Sequence, residues 1–447
     1  MWFLPTLIVF GSLVAAVLVI DLQSWVTEEL AQQWPRLLGV SADGSRAMLS
    51  AIATSMMTVA GVVFSTTMVA LALASSQFSP RILRNFMRDR VTQVVLGVFV
   101  GVFAYCLVLL RVVRGGEDGS FIPSLGVVGG MLYVLVAIGL LIFFIHHVAD
   151  SIQASSILAY IASDTQQAID VLFPKNLGHP APQVPGEQTA MPEHWVPVVA
   201  KRSGYVIGTD GDEVLKFSCQ RNRVVRLPQN GQFVVEGTPV LELSSTATIS
   251  KKDQKKLLSC VSLGRQRTVE QDAAFGFQQL VDMAVKALSP GINDPTTACM
   301  CIDYLGALLT RLASRDIPDP HRVRDGALRV IAPAPDFGDL TALAFNAIVR
   351  NSRGSIEVLA RVLDAISVVQ RSTQKKSCHD PLAEVARSVY RELHRNEQSD
   401  ESTALEGRAV RIEQSLSAAA GGLEVSPTPE VKGARTSQVH RAKIHDY

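Results

Sequence analysis

Four stretches of this chain, residues 2–20, 48–79, 91–110 and 119–145, contain no Asp, Glu, Lys or Arg. An apolar helix needs about 20 residues, at about 1.5 Å each, to cross the hydrocarbon core of a bilayer. All four runs meet that length, the first near the short end, so residues 1–150 read as a four-helix transmembrane domain. A signal peptide is the competing reading of the first run. No basic segment precedes it, and Ile20-Asp21-Leu22-Gln23 is not a small-residue cleavage site, so a retained helix is expected.

Composition agrees. Of 447 residues, 48% are hydrophobic and only 19% are charged, with a net charge of +1. Soluble domains are about a quarter charged. Long disorder is excluded by the hydrophobicity. Six cysteines are too few for a disulfide scaffold. The absence of a strong positive excess argues against a whole-protein nucleic-acid binder, which must neutralise phosphates.

Lys and Arg in short loops set orientation. The loop after the second run holds Arg81, Arg84, Arg88 and Arg90. The first loop holds only Arg36 and Arg46, and the third Arg111 and Arg114. The arginine-rich loop is therefore expected inside, with both termini and everything after about residue 150 in the cytoplasm. Cysteines there would stay reduced. From Ser79 to Arg88, the apolar Ile82, Leu83, Phe86 and Met87 share one helical face and Arg81, Arg84 and Arg88 the other. That pattern fits a short helix in the headgroup plane, touching lipid headgroups or ringing an inner mouth.

Inside the second run, Thr54, Thr58, Gly61 and Ser65 recur at helical spacing on one face. Two readings fit them. Small and hydroxyl residues pack membrane helices closely, and hydroxyls also line water-filled pores. Gly97-x-x-x-Gly101 and the glycines Gly126, Gly129, Gly130 and Gly139 point to tight helix contacts in the third and fourth runs. No run carries a buried charge, which argues against a proton pump or ion-coupled carrier. His146 and Asp150 read as a wet helix end.

Residues 151–194 read as a helix continuing from the fourth span, then a linker. Residues 195–250 read as a small β domain, with short β-branched runs at 196–199, 204–207, 223–226, 232–235 and 240–243. Residues 231–241 look like a half-barrel repeat of lipoyl-type domains, but no Lys sits at a hairpin tip to carry the cofactor. Residues 251–420 read as a helical domain and 421–447 as a disordered tail. The fold class is thus membrane α-helical, with four transmembrane helices followed by a cytoplasmic α+β region. A helix over 269–288 stops at Ser289, Pro290, Gly291 and Asn293; Asp294 caps the next helix and Pro295 takes its first position. Asp272 and Asp282 lie nearly three turns apart, about 15 Å, too far to share one ion. No phosphate loop, nucleophile elbow or zinc-protease helix is present. No enzyme activity, cofactor or metal is expected.

Three segments carry a resemblance: Gln77-Phe-Ser-Pro-Arg81, Ser203-Gly-Tyr-Val206, and Ala287-Leu-Ser-Pro-Gly-Ile-Asn-Asp-Pro-Thr-Thr-Ala298. By these the chain resembles the bacterial predicted membrane proteins grouped as domain of unknown function 2254, over nearly all of its length to about residue 420. The resemblance implies a multi-span inner-membrane protein with a cytoplasmic domain, and brings no activity with it. Two functional readings remain. One is a homo-oligomeric channel gated or assembled by its cytoplasmic domain, for a small ion or ligand the residues do not name. The other is a membrane-anchored sensor or scaffold without transport. Membrane lipids are partners in both.

Overall fold

The computed structural model describes residues 3–23, 41–77, 90–114, 121–173, 192–246, 248–395 and 400–421. Four helices, α1 (Phe3–Gln23), α2 (Ala42–Gln77), α3 (Arg90–Val112) and α4 (Ser124–Ser151), are long and apolar enough to cross a membrane. The central one is α3, which packs against the other three. On α2 the buried residues Leu49, Ala53, Met56, Ala60 and Val63 alternate at spacings of four and three, the seam of left-handed helix packing. At 36 residues, α2 is about 54 Å long. It therefore tilts or extends beyond a hydrocarbon core of about 30 Å.

The glycines of α3 do what their spacing predicts. A Cβ on Gly97 would lie 3.0 Å from Pro5 Cα, and one on Gly101 2.5 Å from Ser12 Oγ, so α1 can approach only because both side chains are absent. Several polar side chains of the bundle find partners, while Ser45 Oγ is buried without one among the described residues. Tyr105 Oη donates to the carbonyl of Gly126 at 3.0 Å, and Tyr133 Oη lies 2.7 Å from Ser12 Oγ. Arg46 donates to the carbonyl of Val113 at 3.0 Å, closing the end of α3 with a cation. Leu7, Phe10, Leu132, Leu135 and Ile142 point outward, as residues facing lipid would.

The expected continuation of the fourth span is interrupted. Gln153 is extended (φ −65°, ψ 137°), and a separate helix, α5 (Ala154–Leu172), begins after it. Ser151 Oγ donates back to the carbonyl of His147 at 2.6 Å, a contact that bends helices.

The β unit contains β1 (Trp195–Val199), β2 (Gly204–Thr209), α6 (Gly211–Arg221), β3 (Val225–Arg226), β4 (Phe233–Val234) and β5 (Pro239–Ser244). It continues through α7 (Lys251–Ser259) and β6 (Val261–Gly264). Five of its strands coincide with the β-branched runs. Its sheets also draw on chain beyond residue 250. One is β4-β2-β6; the other, β1-β5-β3-β8-β7, is completed by β7 (His321–Arg324) and β8 (Ala327–Ile331). Val225 pairs with Val330 in the one parallel ladder of the described sheets. Val198, Val206, Phe217, Leu241, Leu257 and Val330 share the core.

The helical domain comprises α8 (Ala273–Ala287), α9 (Pro295–Ala313), α10 (Phe337–Asn351), α11 (Ile356–Ser372), α12 (Lys376–Leu393) and α13 (Asp400–Gly421). The helix that follows the four-helix bundle, α5, packs on α8 and α9 and shares their core, with Ile161 and Ile169 joining Phe277, Leu280, Ile302 and Leu309. The chain thus leaves the four-helix bundle directly into the hydrophobic centre of this domain. Most of the expected linker, and the expected disordered tail from residue 422 on, lie outside the described residues; Gly421 ends α13 instead.

Candidate functional site

Thr54, Thr58, Gly61 and Ser65 are all exposed, whereas Val63 and Ala70 are buried. At about 100° per residue, the stripe lies opposite the seam that α2 presses against α3. A Cβ on Gly61 would meet nothing within 4 Å. Close packing within one chain is therefore not what the stripe does among the described residues. Thr58 Oγ1 donates to the carbonyl of Thr54 at 2.9 Å, which leaves its lone pairs outward. Large apolar residues flank the stripe on both sides, Met57, Phe64 and Met68 on one and Val62, Val69 and Leu73 on the other. The face is a narrow hydroxyl strip between two apolar shoulders.

Arg90 is exposed at the start of α3. Arg81, Arg84 and Arg88 lie outside the described residues. His146 and Asp150 are exposed at the end of α4.

The 289–295 segment is a tight helix hairpin. Asp294 accepts from Thr297 N at 3.0 Å and from Thr297 Oγ1 at 2.5 Å, and Pro295 opens α9. The backbone N–H groups of Asn293 and Asp294 return to Ser289 O (2.9 Å) and Ala287 O (2.8 Å). Asn293 is left-handed, with φ +50°. Gly291 has neither a positive φ nor a crowded Cβ position. Asp272 also caps a helix, accepting from Phe275 N, and it pairs with Arg267 at 2.7 Å. Burial pushes its carboxyl up, against the pull of Arg267. The loop glycine Gly231, at φ +82°, lies where a Cβ would stand 2.2 Å from Asp272 Oδ2, so only glycine brings the β unit this close to α8.

One polar cluster has no counterpart in the sequence reading. Asp170 of α5 binds Arg311 in the last turn of α9 and Arg315 just past its end. Arg311 holds it through Nε (2.6 Å) and Nη2 (2.5 Å), and Arg315 reaches Oδ1 at 2.5 Å and the carbonyl of Phe173 at 3.1 Å. Arg315 is only 7% exposed. Cations at the C-terminal ends of α5 and α9 suit the helix dipoles. The spacing Arg311-x-x-x-Arg315 was visible in the sequence. Its partner 141 residues away was not.

The model for predicted membrane proteins of domain of unknown function 2254 matches residues 1–367. The chain belongs to that family. It is 33% identical over 378 residues to an uncharacterized protein of Mycobacterium tuberculosis strain CDC 1551 / Oshkosh, covering 82% of this chain and 72% of that protein. An uncharacterized protein of Mycobacterium bovis is 32% identical over the same coverage. No solved structure matches.

Proposed function

We propose that this family member is a homo-oligomeric channel-like protein, whose second helix presents Thr54, Thr58, Gly61 and Ser65 to a shared axis. The observation that carries the reading is the exposed hydroxyl strip opposite the packed face of α2. A lone chain would hold that strip against lipid. Around an axis of several copies, the strip faces inward and the apolar shoulders meet the neighbours. By the positive-inside bias, Arg81, Arg84, Arg88 and Arg90 stand on the cytoplasmic side of an inner membrane, together with the extramembrane domains and both termini. Arginines at an inner mouth raise local anion concentration, so anions are the favoured cargo. The helical domain, joined through the break at Gln153, assembles or gates the ring.

Single-channel recording of purified protein in planar bilayers tests conduction, and oligomer size in detergent tests assembly. Cysteines replacing Thr54, Thr58 and Ser65 are expected to react with a water-soluble thiol reagent, and those replacing Val63 and Ala70 to stay protected. Equal protection of all five in a non-conducting protein leaves the anchored sensor or scaffold.

A further inference from the structure

A cleft of about 380 Å³ opens over α9, between Gln166 of α5 and Ser372 at the end of α11. Thr310, Arg311, Ser314 and Arg315 line its floor. Its chemistry is one-sided. Asp170 supplies one negative charge against the two arginines. It takes Nε and Nη2 of Arg311 and leaves Nη1. The two Nη nitrogens of Arg315 are occupied by Asp170 and Phe173, while its Nε–H has no partner among the described residues. Thr310 Oγ1 is likewise buried and unpartnered. Buried polar groups are nearly always paired, so two orphans on residues that line one cleft point to a partner the chain itself does not supply, water or ligand. Gln166 is exposed at the rim and adds an amide donor. Ser314 and Ser372 now donate to the carbonyls of Arg311 and Val369, and their hydroxyls can rotate.

We propose that this cleft binds a small oxyanion, a phosphate or carboxylate group, held by the guanidinium groups of Arg311 and Arg315, Thr310 Oγ1 and the Gln166 amide. A planar guanidinium suits either group. The α5 end of the cleft belongs to the helix that follows the fourth span, so occupancy ties α5 more firmly to α9. The proposal stands apart from conduction and holds for a channel or an anchored sensor alike.

The test is thermal melting of the full-length protein in detergent, titrated with inorganic phosphate and separately with succinate, against chloride at constant ionic strength and pH. A saturable rise in melting temperature with either anion is expected. Thr310→Val removes the orphan hydroxyl at constant shape, and Ala307→Phe fills the cleft while leaving both arginines on Asp170. Each is expected to weaken the apparent affinity at least tenfold. Should Thr310→Val lower the melting temperature without anion, Ala307→Phe decides alone. A response that does not saturate, or one that Ala307→Phe leaves unchanged, overturns the proposal.

Discussion

Asp294 closes the N-terminus of α9 through two bonds to Thr297, and Asn293 before it holds a backbone shape that most side chains resist. Asp294→Ala is expected to lower stability by about 1 kcal/mol in thermal or denaturant melts, and Asp294→Asn by much less, because Asn also caps. Loss of an activity in Asp294→Asn at full stability would make the residue more than a cap. The cap was legible because capping is local: Asp before Pro, followed three residues later by a free N–H. The left-handed Asn293 was not foreseen, although Asn is among the residues that accept it. Arg311 and Arg315 were illegible for the opposite reason. Their meaning comes from Asp170, which only the folded domain brings near.

Helices fit one another here through missing atoms. A Cβ on Gly276 of α8 would stand 1.9 Å from Oγ1 of Thr165 on α5, whose hydroxyl is already bonded to Ile161 O. Gly276→Ala is expected to cost about 1–3 kcal/mol as overpacking, and adding Thr165→Ala to recover part of it. Melts of the two single variants and the double check this; full additivity would show that the two sites do not touch. Of the elements, the apolar helices and the first five strands were readable because their patterns are strong and their partners near. Helix α6 was missed: it is short and polar, although Asp210 caps it by accepting from Glu213 N at 3.1 Å. Strands β7 and β8 were missed because a four-residue segment such as His321–Arg324 has no pattern of its own, and its sheet lies far back in the chain.

Across the whole molecule, the six cysteines are free, and all but Cys219 are buried. Burial pushes the Cys301 thiol up to about 12, so almost none is thiolate at neutral pH. A water-soluble thiol reagent is therefore expected to label native protein at Cys219 and to reach the other five only after denaturation, read by peptide mass. Labelling of Cys301 in native protein would mean that the domain opens. Cys219→Ser then supplies a quiet background for the cysteine scan of α2. Topology has its own check. A reporter fused after Asp150 is expected to register cytoplasm and one within residues 115–120 the outside; the reverse would overturn the arginine argument.

The parallel pairing of Val225 with Val330 also has a consequence for how the protein is made. A ribosome delivers β3 long before its neighbour β8. At about 5–20 residues per second, the intervening stretch of roughly 100 residues takes several seconds to emerge. Throughout that interval the nascent chain is held by its spans while one strand edge stands bare, open to the same edge on an adjacent chain. Expression boundaries drawn at residue 250, where the β-branched runs end, would make that exposure permanent. The shortest fragment able to finish its own sheet ends beyond Ile331, and so must carry α8 and α9 with it.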